Sequence, residues 1–99
     1  MNILLSGGNG ILGKEIQKII PNCITPSRSE LDIKNKNNVF DFIKLHQIDS
    51  VIHTAALTSI RNCEESKKNA WETNIVGTQN LVEALSLNRP DGHFLYIST

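Results

Sequence analysis

The 99-residue chain lacks most of the residue patterns that mark secreted, metal-binding and nucleic-acid-binding proteins. Its two cysteines, Cys23 and Cys63, form no C-x-x-C pair, which excludes a disulfide-rich scaffold and indicates reduced thiols. Its three histidines show no ligand spacing, so no metal site is predicted. Ten basic residues are balanced by ten acidic ones, so the basic excess of a nucleic-acid-binding surface is missing.

Long hydrophobic runs are missing as well. No run is long enough to cross a membrane, and the N-terminal one is too short and lacks the basic flank of a signal peptide. We therefore expect a cytoplasmic protein with neither a membrane nor a nucleic acid as partner. Hydrophobic residues make up 39% of the chain, which is enough for one modest core and hence for one domain or part of one.

The chain does have a cluster of glycines near its start. Residues 3–5 are typical of a buried parallel strand, and residues 11–20 have helical periodicity. Between them Gly7, Gly10 and Gly13 fall three apart, and the segment also satisfies G-x-G-x-x-G. Such a turn lets backbone N–H groups approach a pyrophosphate at the positive end of the helix. This context predicts dinucleotide binding; the alternative is a tight turn that binds nothing.

Periodicity along the rest of the chain predicts alternating strands and helices. The predicted strands are at about 2–6, 23–25, 49–53 and 93–98, the predicted helices are at about 11–20, 37–46 and 68–87, and 31–33 is a brief extended piece. This order implies right-handed crossovers, and so an α/β, Rossmann-like three-layer fold with a four-stranded parallel sheet in the order 2-1-3-4. The predicted core positions are Leu12, Ile16, Ile19 and Ile20 on the first helix, Val39, Phe40 and Ile43 on the second, and Ala70, Asn74, Gly77, Leu81, Ala84 and Leu85 on the third.

Ligands of such sheets bind at the carboxyl ends of the strands, where the strand order reverses beside the first strand. The glycine turn, Arg28, Ala55-Ala56 and Thr99 are all predicted there. Arg28 follows the second predicted strand, where enzymes that use NAD often carry an acid for the ribose 2′-OH. Because an arginine there can accept a 2′-phosphate, NADP(H) is favoured over NAD(H). Glu30 and Asp32 keep NADH as an alternative, and a plain surface arginine is the other interpretation.

Five motifs, taken in order, resemble the extended short-chain dehydrogenase/reductases, the NAD-dependent epimerase/dehydratase superfamily. Within them the chain is similar to the dTDP-4-dehydrorhamnose reductase group of sugar-nucleotide reductases. The motifs are Ser6-Gly7-Gly8-Asn9-Gly10-Ile11-Leu12-Gly13, Arg28-Ser29-Glu30-Leu31-Asp32-Ile33, Val51-Ile52-His53-Thr54-Ala55-Ala56, Asn74-Ile75-Val76-Gly77-Thr78-Gln79-Asn80-Leu81 and Tyr96-Ile97-Ser98-Thr99. The resemblance covers the whole chain but only the N-terminal part of such enzymes. Residues 1–99 are therefore expected to be the N-terminal part of an NAD(P)-binding domain, without the substrate domain.

The resemblance also implies roles for single residues. The implied cofactor-binding residues are Ser6, Gly7, Asn9, Gly10, Ile11, Leu12 and Gly13 in the pyrophosphate turn, Arg28 after the second strand, Asp32 and Ile33 beside the adenine, Ala55 and Ala56 beside the nicotinamide, Thr58 near its ribose, and Asn74 as a brace near the active site. Ser6 replaces the family's usual threonine and keeps the hydroxyl for a hydrogen bond in the turn. Thr99 is the implied catalytic residue, because the family's serine or threonine there polarises the sugar carbonyl. The alternatives are a capping role for Thr58, a buried polar role for Asn74 and a frayed terminus for Thr99.

The chain lacks the family's Tyr-x-x-x-Lys, whose tyrosine protonates the developing alkoxide. The single tyrosine, Tyr96, falls in a strand. The resemblance thus implies the NAD(P)-binding portion of a reductase that transfers hydride to a 4-keto sugar nucleotide. A sugar-nucleotide epimerase or dehydratase fragment and a non-catalytic nucleotide-binding module remain as alternatives. The last predicted strand would form an exposed sheet edge, so we also expect a homo-oligomer through that edge.

Overall fold

A computed structural model describes residues 1–8, 10–55 and 64–98 of the chain. The elements are β1 (Ile3–Ser6), α1 (Ile11–Ile19), α2 (Lys36–Leu45), β2 (Ser50–Ala55), α3 (Glu64–Asn88) and β3 (His93–Ser98). The strands of this part form one parallel sheet in the order β1-β2-β3, which confirms the predicted α/β class. Within these residues, no helix is both long and apolar enough to span a membrane.

The prediction of four strands in the order 2-1-3-4 is wrong in its detail, because the described sheet has three. Segment 23–25 makes a single parallel bridge, Leu4 to Ile24, on the free side of β1. Ile24 N–H donates to the Ile3 carbonyl at 2.7 Å, and Leu5 N–H donates to the Ile24 carbonyl at 2.8 Å. In a parallel ladder the next donor would be residue 26, and Pro26 has no N–H. Pairing therefore stops after one bridge.

Local signals set the two ends of α2. The side chain of the N-cap residue, Asn35, accepts the Asn38 N–H at 3.1 Å, which satisfies one of the free donors of the first turn. At the other end Gln47 has φ 51°, in the left-handed region that stops a helix. The Ile48 N–H then reaches back to the Ile43 carbonyl at 3.1 Å, which directs the buried Ile48 side chain under the sheet.

The hydrophobic core lies between the sheet and helices α2 and α3. Its fully buried members are Leu4 and Val51 from the strands, Val39 and Ile43 from α2, Ile48 after it, and Leu81 and Ala84 from α3. The predicted burial of Val39, Ile43, Gly77, Leu81, Ala84 and Leu85 is confirmed. On α2 the buried phenylalanine is Phe42, while Phe40 is half-buried.

The predicted burial of Ile19 is wrong, because its side chain is 79% exposed. Gly13 is the buried residue of α1. Ile19 lies six residues further on, which is about 240° around the helix at about 100° per residue. A close approach at Gly13 therefore turns Ile19 toward solvent.

Candidate functional site

The glycine turn joins β1 to α1 at the carboxyl edge of the sheet. Gly7 has φ +90°, a backbone conformation that residues with a Cβ rarely adopt. A Cβ on Gly7 would also collide with the Thr54 hydroxyl and lie 2.8 Å from the Thr54 carbonyl. A Cβ on Gly13 would collide with the Gly7 carbonyl and lie 2.6 Å from Gly8 Cα. Neither glycine can carry a side chain without a shift of its neighbours, and α1 packs at Gly13 directly on the turn.

The N-terminus of α1 opens at Gly10. This N-cap residue has no side chain to occupy the first N–H groups of the helix, and α1 has no acidic residue in its first turn. The Gly10 N–H donates to the Gly7 carbonyl at 3.1 Å, and the helix ladder begins with Lys14 N–H to the Gly10 carbonyl at 3.0 Å. Ile11 is 88% exposed and Leu12 is half-buried beside it. The positive end of the helix is thus available to an anion.

Ser6 precedes the turn and is buried. Its hydroxyl lies 2.9 Å from Nδ1 of His53, on the neighbouring strand. The register pairs Ser6 with His53, and His53 with Tyr96. Among the described residues the Ser6 hydroxyl therefore bonds a β2 side chain, and its hydrogen bond within the turn stays a prediction.

Two side chains that the sequence analysis did not select also hold the turn. The Thr54 hydroxyl donates to the Ser6 carbonyl at 2.9 Å, and it lies 3.3 Å from the Gly7 carbonyl. Gln17 donates from Nε2 to the Gly8 carbonyl at 2.7 Å. Gln17 lies one helical turn after Gly13, so its spacing is a signal that could have identified it. Thr54 follows His53 in a strand and has no comparable signal.

The loop that carries Arg28 begins beside the turn. A Cβ on Gly8 would lie 3.2 Å from Cβ of Thr25, and the loop continues from there to an exposed Arg28. The Glu30 carboxylate accepts the Ser27 N–H at 3.0 Å and the Ser27 hydroxyl at 3.1 Å. Both hydrogen bonds lower the pKa of Glu30, and the bond from the Ser27 backbone N–H has the larger effect. The Glu30 carboxylate is therefore engaged within its own loop.

The segment at Asp32 and Ile33 is held by both neighbouring helices. The Asp32 N–H donates to the Asn38 side chain at 2.7 Å, and the Asp32 carboxylate accepts the Lys34 N–H at 3.1 Å. Asn80, which the sequence analysis did not select, donates from Nδ2 to the Ile33 carbonyl at 2.9 Å. A Cβ on Gly77 would lie 2.6 Å from Cγ1 of Ile33, so this glycine of α3 is needed for the close contact.

Some of the other predicted site residues lie in the part of the chain that the structure describes, and the rest lie outside it. Ala55 ends β2, opposite Ser98 of β3. Asn74 is half-buried and lines an apolar groove of about 380 Å³ between α3 and β3, together with Trp71, Ile75, Thr78, Gln79 and Tyr96. Asn9, Ala56, Thr58 and Thr99 lie outside the described residues.

His53 is the buried titratable group nearest to the turn, with 1% of its surface exposed. Its ring meets Tyr96 edge-on, with ring centroids 5.5 Å apart. Burial lowers the pKa of His53 below its ordinary value of about 6.5, so the ring is neutral at pH 7.

A parallel sheet with a glycine turn at an open helix N-terminus is the arrangement of Rossmann-like nucleotide-binding proteins. The family model described as "RmlD substrate binding domain" matches residues 1–99, and the chain belongs to this family.

The chain is also similar to individual dTDP-4-dehydrorhamnose reductases. A dTDP-4-dehydrorhamnose reductase from Aggregatibacter actinomycetemcomitans is 32% identical over 102 residues, covering 98% of this chain and 34% of the relative. The structure of the Clostridium acetobutylicum dTDP-4-dehydrorhamnose reductase has a TM-score of 0.78 and 36% identity, covering 89% of this chain and 33% of that one. The Bacillus anthracis enzyme of the same name, solved in complex with NADP, has a TM-score of 0.74 and 26% identity, covering 89% and 34%. The chain thus spans about a third of the length of these relatives. Sugar-nucleotide epimerases and dehydratases occur among its other relatives.

The packing at Gly13 yields a first prediction. We expect Gly13→Ala to lower the free energy of unfolding by about 2 kcal/mol, because the new methyl group would overlap the turn backbone. Gly10→Ser is the matched control, since a Cβ there meets only the Gly7 carbonyl at 3.5 Å and serine is a favoured N-cap. Urea unfolding measures both variants. Equal stability of Gly13→Ala and the wild type would contradict the proposed close contact.

A second prediction concerns pH and His53. The unfolded chain takes up a proton on this histidine more readily than the folded chain does, so acidification through about pH 6.5 favours unfolding. The stabilisation is complete above that pH and is lost progressively as the pH falls toward the lower folded pKa. We expect the melting temperature of the wild type to fall between about pH 7.5 and 5.5 more steeply than that of His53→Asn. Parallel curves for the two proteins would refute this.

Proposed function

We propose that the protein containing this chain is an NADP(H)-dependent, dTDP-4-dehydrorhamnose reductase-like enzyme that reduces a 4-keto sugar nucleotide. Residues 1–99 would form the N-terminal part of its NAD(P)-binding domain. The observation that carries this proposal is the glycine turn, where Gly7 and Gly13 leave no room for a Cβ beside an open helix N-terminus. Family membership and the NADP complex of the Bacillus anthracis relative support it.

The residues present fit a dinucleotide. The turn offers backbone N–H groups and the positive end of α1 to a pyrophosphate, without a side chain at Gly10 in the way. Arg28 is exposed in the loop that begins beside Gly8, where a guanidinium can bind a ribose 2′-phosphate. Asp32 and Ile33 would border the adenine, and their backbone is already held by Asn38 and Asn80.

The remaining roles follow the family resemblance. Ala55 and Ala56 would keep bulk away from the nicotinamide, Thr58 would lie near its ribose, and Asn74 would brace the active-site segment. Thr99 would donate a hydrogen bond to the sugar carbonyl and so polarise it. NADPH, when bound, supplies the hydride. In the family that the chain resembles, a Tyr-x-x-x-Lys supplies the proton for the resulting alkoxide, and these 99 residues do not contain that motif.

A second candidate is the cofactor-binding part of a sugar-nucleotide epimerase or dehydratase. The occurrence of such enzymes among the relatives favours it, since their names imply the same kind of substrate. A non-catalytic nucleotide-binding module would keep the turn and Arg28 but would not need a group that polarises a carbonyl.

Titration calorimetry with NADPH and NADH tests the cofactor proposal. We expect saturable binding of both, with NADPH bound more tightly. Arg28→Ala should weaken NADPH binding about tenfold and leave NADH binding unchanged, because it removes a charge-assisted hydrogen bond to the 2′-phosphate. Lys44→Ala, the same charge change on an exposed residue in the last turn of α2, is the control. Absence of saturable binding to either dinucleotide would overturn the proposal, and an equal loss for both would remove Arg28 from the phosphate site.

We also propose that the chain self-associates through β3. Among the described strands β3 pairs on one side only, and Leu95 and Tyr96 on its two faces are 54% and 42% exposed. On the adjoining helix Trp71 and Ile75 are 57% and 52% exposed. Tyr96, Trp71 and Ile75 line one apolar groove, and Leu95 lies on the opposite face of the same strand, so this edge offers apolar surface that other strands and side chains can cover.

Sedimentation equilibrium tests the association. The wild type should form dimers or larger species as its concentration rises. Leu95→Lys should shift it toward monomer, because a charge on an edge strand opposes further pairing. Leu87→Lys, at an exposed position near the end of α3, should leave the association unchanged. A wild type that stays monomeric at high concentration would disprove the proposed edge contact.

A further inference from the structure

We propose that His53 and Thr54 are positioning residues that hold Ser6 from the two faces of the sheet and thereby set the conformation of the glycine turn. Successive residues of a strand point to opposite faces, so adjacent residues of β2 can reach one β1 residue from both sides. The inference rests on the proposed cofactor site, because it explains how the N–H groups of that site are held in place.

On one face Thr54 holds the backbone. Its hydroxyl lies 2.9 Å from the Ser6 carbonyl and 3.3 Å from the Gly7 carbonyl. These are the carbonyls before and after the Gly7 Cα, where the chain turns to φ +90°. A single hydroxyl between them restrains the orientation of both peptide groups. The same contact leaves no space for a side chain on Gly7.

On the other face His53 holds the Ser6 side chain. The hydroxyl and the imidazole Nδ1 lie 2.9 Å apart, and both residues are buried. Nε2 is also buried and has no hydrogen-bond partner among the described residues, so Ser6 supplies the one bond that the ring makes there. Tyr96 and Phe94 of β3 pack against the ring at centroid distances of 5.5 and 6.4 Å. The ring is therefore fixed by the sheet, and it transmits that rigidity to Ser6.

The effect reaches the proposed ligand site through Gly7. The Gly7 carbonyl accepts the Gly10 N–H at 3.1 Å, and it is the atom that a Cβ on Gly13 would strike. The orientation of the Gly7 carbonyl therefore determines both the path of the turn and the position of the α1 N-terminus. Neither His53 nor Thr54 needs to touch the cofactor for this role.

Amide exchange with water, measured by NMR on the full 99-residue chain without ligand, tests the inference directly. Thr54→Val and His53→Phe should each accelerate exchange of the Gly10 amide about fivefold to tenfold, the factor expected for the loss of one net hydrogen bond. Exchange of the Val39 amide, bonded to the Asn35 carbonyl in α2, should stay unchanged. Thr54→Ser keeps the hydroxyl, and His53→Asn places an amide group that can bond to Ser6 near the position of Nδ1, so both variants should keep slow exchange at Gly10.

The outcomes are decisive in either direction. Unchanged exchange at Gly10 in Thr54→Val and His53→Phe overturns the inference, and so does a rise that is equal at Gly10 and Val39. If His53→Phe does not fold, Ser6→Ala removes the same bond and carries the same expectation. Calorimetry of the wild type with NADPH then shows whether the cofactor proposal holds. Thr54→Val and His53→Phe should each bind NADPH about fivefold to tenfold more weakly than the wild type does. A wild type that binds no dinucleotide refutes the cofactor proposal alone, because the exchange result does not depend on binding.

Discussion

The backbone contact between α1 and the turn that precedes it is the constraint on which the rest of the candidate site depends. Gly13 lies against the Gly7 carbonyl and Gly8 Cα, a distance that any side chain would prevent. A glycine inside a helix costs about 1 kcal/mol relative to alanine, so the contact opposes helix propensity. The hydrogen bond from Gln17 to the Gly8 carbonyl opposes separation of the same two elements. Because α1 is held this close, its N-terminus opens at the carboxyl edge of the sheet.

The second loop at this edge is held by the same physical means. In α1 a glycine admits the turn, and a carboxamide one helical turn later, on Gln17, bonds to a carbonyl of that turn. In α3 Gly77 admits the Ile33 side chain, and Asn80, three residues later, bonds to the Ile33 carbonyl. In both helices a glycine lets the neighbouring loop pack closely, and an amide side chain then holds that loop by a hydrogen bond to its backbone. Loops held in this way lose little conformational entropy when a ligand binds, which favours a preformed ligand site.

Sequence reasoning succeeded where the signal is local. Glycine spacing predicted the turn, and helical periodicity predicted Val39, Ile43 and Leu81 in the core, because each follows from neighbours along the chain. The predictions were wrong or incomplete where contacts with residues distant in sequence determine the structure. The second predicted strand, at 23–25, forms only one bridge, because the register against β1 places Pro26 at the next donor position. Thr54 and His53 were not selected, since their contacts with Ser6 span 48 and 47 residues and leave no periodic trace. Ile19 was misassigned because the approach at Gly13, rather than the apolar stripe, orients α1.

In the proposed cofactor site, local arrangement rather than total charge would attract an anion to this edge. The chain has no net charge, and two acids, Glu30 and Asp32, lie close to Arg28 in sequence. The Glu30 carboxylate accepts hydrogen bonds from Ser27, and the Asp32 carboxylate accepts the Lys34 N–H. Of the ion pairs in the described part of the chain, none involves Arg28. Both carboxylates therefore form hydrogen bonds within their own loop, while Arg28 is exposed in the loop that begins beside Gly8. In the proposed site, a ligand with two separated phosphate groups would bind both Arg28 and the positive end of α1, whereas a ligand with one would bind only one of them.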